Sequence, residues 1–196
     1  MRLKESPSQT AGPYVHIGAT PNACGIEGVY RQDLGAKLID AETKGSRIVV
    51  TGRIFDGTDT PIKDALVEIW QADANGVYPG RAHTGPQFAG WGRQPVDGDT
   101  GAFRFETIKP GNVPFVDGQL MAPHITFWIV ARGINLGLHT RMYFADEAAA
   151  NAADPVLARI EHAHRRQTLI ASASAGGVHT FDIHLQGHNE TVFFDV

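Results

Sequence analysis

From Ser46 to the C-terminus the chain is cut into short β-type segments by closely spaced turn residues, a spacing that suits stacked sheets. Ile48-Val49-Val50-Thr51 leads through Gly52 to Ile54-Phe55 and the turn Asp56-Gly57. Ala65 to Gln71 alternates, with Leu66, Glu68 and Trp70 on one face and Val67 and Ile69 on the other, and Asp73-Ala74-Asn75-Gly76 then reads as a turn. Gly101 to Phe105 alternates again, and His124 to Arg132 is the densest β segment. Gly137 to Phe144, Thr168 to Ala171, His179 to Leu185 and Thr191 to Phe194 follow. With 22 Gly and 11 Pro the chain holds about 17% of these breakers against a typical ~12%, which favours many turns. A helical interruption is expected near Asp146 to Ala150, and again from Pro155 to about His162 with Pro155 as a first helical residue. Eight or nine strands with one such insertion predict a mostly β fold, a β-sandwich over residues 46–196. The stretch 77–100 has little strand character and reads as a long functional loop.

Residues 1–45 read as an irregular arm, because Pro7, Gly12, Pro13, Gly18 and Pro21 interrupt any long element. Tyr14, Val15 and Ile17 make it more apolar than a free tail, so the arm is expected to dock on the body or on a partner. The length of 196 residues fits one domain with such an extension. A net charge of −4 with no Lys/Arg block speaks against nucleic acid and anionic membrane as partners. The longest uncharged apolar run, Ile125 to Ala131, is too short to cross a bilayer, and the segment from Met1 to Pro7 has no apolar signal core. Cys24 is the only cysteine, so neither an intrachain disulfide nor a multi-Cys metal site is available. A soluble cytoplasmic protein is expected.

Residue by residue, no catalytic set is complete. The nine histidines form no H-E-x-x-H pair. His162 and His164 are two apart and are expected on the surface facing different ways, while His179 and His184 fall on opposite faces of one strand. On the strand His124 to Arg132, a metal site would use His-x-His, but Thr126 stands at the second position, and His124 reads as an ordered core histidine. Tyr78 reads as a packed tyrosine, although a tyrosinate is a hard ligand for ferric iron. No G-x-S-x-G turn or phosphate loop occurs, and Glu68, Asp73 and Asp97 have no acid/base spacing.

Longer motifs say more. Ser8-Gln9-Thr10-Ala11-Gly12-Pro13-Tyr14, Glu68 to Gly76, Thr107-Ile108-Lys109-Pro110-Gly111 and Ala122-Pro123-His124-Ile125 together resemble the intradiol ring-cleavage dioxygenases. Ala131-Arg132-Gly133-Ile134-Asn135, Leu138-His139-Thr140-Arg141 and the tail from Gly187 to Asp195 are similar to the alpha-type chains of the family's two-chain members. The resemblance implies a β-sandwich of the intradiol type and cleavage of a catecholate between its hydroxylated carbons by O2. In the family, Fe(III) is held by two tyrosines and two histidines. Carried over, Tyr78 and His124 remain, Val113 stands at the second tyrosine and Thr126 at the second histidine, and about Met121 replaces an arginine. For an alpha-type chain this implies a vestigial site with no metal ligands in use, and a partner beta subunit that holds the Fe(III). It also implies a pocket for protocatechuate and O2 shared between the chains, lined from this chain by Thr10, Gly12, Pro13, Tyr14 and Arg132. Hetero-oligomers of alpha–beta protomers are expected, and an alpha chain without its partner is expected to self-associate. Two rivals remain at this stage: a self-sufficient enzyme with substitute ligands from His83 or His139, and a non-enzymatic β-sandwich scaffold.

Overall fold

The computed structural model describes residues 9–80 and 88–195. Its strands are β1 (Arg47–Phe55), β2 (Leu66–Gln71), β3 (Trp91–Pro95), β4 (Ala102–Ile108), β5 (Val113–Pro114), β6 (Leu120–Met121), β7 (His124–Val130), β8 (Leu138–Phe144), β9 (Ile170–Ser174), β10 (Val178–Thr180) and β11 (Ile183–His184). Short helices are α1 (Pro13–Ala19), α2 (Ala148–Ala153) and α3 (Ala163–Gln167). Among the described residues no helix is long and apolar enough to cross a membrane.

Strand order is β11-β1-β10-β9-β8-β7-β2-β3, with β4 on the other flank of β1, and β5 and β6 form a separate ribbon. The long path folds back on itself at β9, which pairs antiparallel with β10 and meets β8 in parallel through Tyr143–Ile170 and Phe144–Ala171 only. The two halves face each other. Ile48, Val50 and Ile54 of β1 point inward by strict alternation, as do Phe103 and Phe105 of β4. They meet Val67, Ile69, Ile125, Phe127, Ile129, Met142 and Phe144 of the second sheet in one core. Phe127 packs between Phe103 and Phe181 with tilted rings, at ring-centroid distances of 5.6 and 5.3 Å. Gly52 is required in β1, since a Cβ there would lie 2.0 Å from the Phe181 carbonyl oxygen. At one end of the core the buried Gln71 amide donates to the Ala72 and Ile108 carbonyls and accepts from the Thr107 hydroxyl, tying β2 to β4.

The sandwich and most of its strands are as the alternation predicts. The expected long loop over 77–100 instead contains β3, an edge strand held by cross-strand pairs: Arg93 bonds Glu68 at 2.6 Å, and Trp91 pairs with Trp70. The helix expected from Pro155 to His162 is a single 3-10 turn, Leu157–Arg159, and α3 begins after His162. The Asp154 carboxylate explains this, because it accepts the Val156 and Leu157 amides at 2.8 Å each and starts a tight turn there. His162 and His164 are exposed, but their rings stack at 5.6 Å rather than diverge. His179 and His184 lie on two short strands rather than one, and the expected last strand is reduced to the single bridge between His139 and Phe194. The arm carries one short helix, α1, opened by Pro13. Further along, Leu38 enters the main core at 3% exposure.

Candidate functional site

Both sets of residues singled out in the sequence lie at the ends of β7, at opposite poles of the sandwich. At one pole His124 opens β7. Period two puts Thr126 on the same face, and the register places Tyr143 opposite His124 and Arg141 and Trp70 on either side of Thr126. Tyr78 arrives from the turn after β2 and stacks on Trp70 at 5.8 Å with the planes 7° apart. That turn is built by Asp73, whose carboxylate accepts the Asn75 and Val77 amides.

His124 is fully buried. Its Nδ1–H donates to the Ala122 carbonyl at 2.7 Å, which leaves Nε2 as the acceptor for the Tyr78 hydroxyl at 3.3 Å. Burial, and secondly the positive charge of Arg141, push the imidazole pKa down to about 4. Burial also raises the Tyr78 phenol, against a smaller opposing pull from Arg141. Both groups are therefore neutral at pH 7. Asp154 anchors the layer beneath: it accepts the Ala122 amide at 2.7 Å and the Tyr143 hydroxyl at 3.4 Å, and burial drives that phenol strongly upward.

The other two positions offer little to a ferric ion. Val113 is 4% exposed and packs with Ala72, Met121 and Val156 against Tyr78, Phe115 and Phe194. Thr126 supplies only a hydroxyl, and the Arg141 guanidinium is its cross-strand neighbour. A hard trivalent cation requires several anionic oxygen or imidazole donors. Here the phenol and the imidazole are partnered with each other, one position is apolar and a cation stands alongside. These residues do not fit Fe(III). His139 cannot repair the set: it faces Trp128, four places along β8 from the residue opposite His124, or about 13 Å. His83 lies outside the described residues.

The second pole is an open cleft of about 950 Å³ between the arm and the loops following β1, β3 and β7. Gly12, Pro13, His16, Cys24, Lys63 and Arg132 are among its lining residues. Thr10 fixes the arm, because its hydroxyl accepts the Gly133 amide at 2.6 Å and reaches the Ala131 carbonyl at 3.4 Å. The turn bearing Arg132 is thus held on both sides. The Arg132 side chain is 82% exposed and pairs with Asp64 at 3.4 Å. Of the five residues expected at a pocket shared with a partner chain, Gly12, Pro13 and Arg132 border this cleft, Thr10 positions the arm, and Tyr14 projects into solvent at 86% exposure. Arg141 and Asp154 carry no role in the sequence reading, and only the strand register and the captured amides show their places.

Comparison with known proteins gives the family. A family model described as "Dioxygenase" matches residues 26–187. The chain is 45% identical over 98% of its length to a protocatechuate 3,4-dioxygenase alpha chain from Pseudomonas putida, covering 97% of that protein. It is 34% identical to a protocatechuate 3,4-dioxygenase beta chain from Burkholderia cepacia, over 78% of this chain and 69% of that one. Among solved structures, the dioxygenase domain of a carbohydrate-binding fusion from Streptomyces sp. SirexAA-E superposes with a TM-score of 0.56 at 26% identity, covering 95% of this chain and all of that one. The chain belongs to the dioxygenase family, in the intradiol group that its motifs resemble.

Proposed function

We propose that this chain is the alpha subunit of a protocatechuate 3,4-dioxygenase, which opens the ring of protocatechuate with O2 to give 3-carboxy-cis,cis-muconate. In this reading the Fe(III) is held by a partner beta chain, and this chain supplies a wall of that chain's substrate pocket. The observation that carries it is the donor set at the first pole, where a neutral Tyr78–His124 pair, Val113 and Thr126 stand in a chain matched end to end by an alpha chain. The second pole supports the rest. There the described part of the Pro/Gly-stiffened arm, residues 9–45 with the helix at Pro13, forms a shaped edge at little ordering cost. Beside it, the exposed guanidinium of Arg132 suits the carboxylate of a benzoate.

The test is iron content and visible absorption of the chain purified alone and co-expressed with its beta partner. The expected result is a colourless lone chain, with iron, tyrosinate-to-iron colour and protocatechuate cleavage appearing only in the pair. Stoichiometric iron and turnover in the lone chain would instead establish a self-sufficient enzyme. A beta chain fully active without this one would leave only a scaffold.

A further inference from the structure

The first pole contains a charge that neither the family likeness nor the cleft explains. Arg141 of β8 is half-buried, and among the described residues no carboxylate lies within salt-bridge distance of it. Its Nη1 meets the Met121 sulfur at 3.4 Å, and its guanidinium lies 5.8 Å from the centre of the Phe194 ring. Thr126, which the family resemblance marks as a lost histidine position, is directly across the strand pair, and Met121 stands at about the place where the resemblance implies a lost arginine. The positive charge of Arg141 acts on both Tyr78 and His124.

We propose that Arg141 is the resident cation of this pole, its guanidinium taking the space and the charge that a metal ion would need beside Tyr78 and His124. Returning the two missing donors therefore does not by itself return a metal. This rests on the reading of Val113 and Thr126 as lost donor positions. The chemistry is direct. A guanidinium stays protonated at any accessible pH, and one held in a partly dry site repels a second cation much more than it would in water. The same charge favours a neutral imidazole and leaves Nε2 free to accept from Tyr78, which is the arrangement seen. Met121 and Phe194 give the guanidinium a soft sulfur and a ring face rather than an acid, while the Asp154 carboxylate in the layer beneath is engaged by the Ala122, Val156 and Leu157 amides and the Tyr143 hydroxyl.

The test uses the co-expressed pair and counts iron above the wild-type pair. V113Y/T126H should gain essentially none, and V113Y/T126H/R141Q should gain about one per alpha chain, with added tyrosinate-to-iron absorption. Equal iron in the two variants, or none in the triple variant of an assembled pair, overturns the proposal. Because tyrosine at position 113 enters a packed cluster, a second series keeps Val113: T126H with and without R141Q, titrated with Co(II) and followed by its visible d–d bands. Removing the guanidinium should tighten Co(II) at least ~10-fold, and equal affinities overturn the proposal. Iron in the unsubstituted lone chain is a separate outcome that removes the vestigial reading itself.

Discussion

His124 sits at 0% exposure with both ring nitrogens engaged, so its proton binding is linked to folding. The folded imidazole has a pKa of about 4 and the unfolded one about 6.5. Between those values the unfolded chain binds a proton that the folded chain refuses. Stability is therefore complete above about pH 6.5 and falls as pH drops toward 4, by about 3 kcal/mol. Urea unfolding at pH 7 and pH 4.5 should show His124→Gln losing about 2.4 kcal/mol less than the wild type across that interval. Equal acid losses would mean that the buried ring is not the group responsible. At this scale the sequence singles out Tyr78, Val113, His124 and Thr126, and the structure gathers Tyr78 and His124 in one hydrogen bond and sets Val113 in an apolar cluster around Tyr78. The hydrogen bond between Tyr78 and His124 was not legible beforehand, since the partners are 46 positions apart and meet only through the turn before Tyr78. Nor was Arg141, whose place follows from register across β7 and β8 rather than from spacing along the chain.

Among the elements, the turn from Asp73 to Val77 has the largest effect for its size, because it aims Tyr78. Gly76 adopts φ +77°, and a Cβ there would fall 1.8 Å from the Asn112 carbonyl oxygen. Gly76→Ala should cost about 3 kcal/mol and lower the melting temperature by about 6–12 °C. Gly98→Ala, where a Cβ meets nothing within 4 Å, should stay within about 0.5 kcal/mol, and calorimetry of the two side by side is the check. Strands with clean alternation, β1, β2 and β4, follow directly from the sequence. β3 does not, since its residues Trp91 to Pro95 lack that pattern and are held by Glu68 and Trp70 from the neighbouring strand. The helical insertion shows the reverse failure. Its apolar spacing favours a helix, but the side chain of Asp154 claims the amides that would begin one.

Over the whole molecule, the arm and the turn after β7 make one wall of the cleft, with Arg132 an exposed charge on it. In the assembled pair Arg132→Ala should raise KM for protocatechuate about 10-fold while leaving kcat and iron content near the wild type, the size expected for an exposed charge-assisted contact. Unchanged KM would reduce the arm and its arginine to subunit attachment.

β7 also sets how the two poles relate. From His124 to Val130 it extends about 20 Å through the middle of the second sheet, buried along its length at Ile125, Phe127 and Ile129. Sites that far apart, with no shared partners, contribute free energies that add without interaction terms. Drift at the closed end is thus invisible at the open end. A lineage could empty one pole of its donors, a residue at a time, without disturbing the fit of the other.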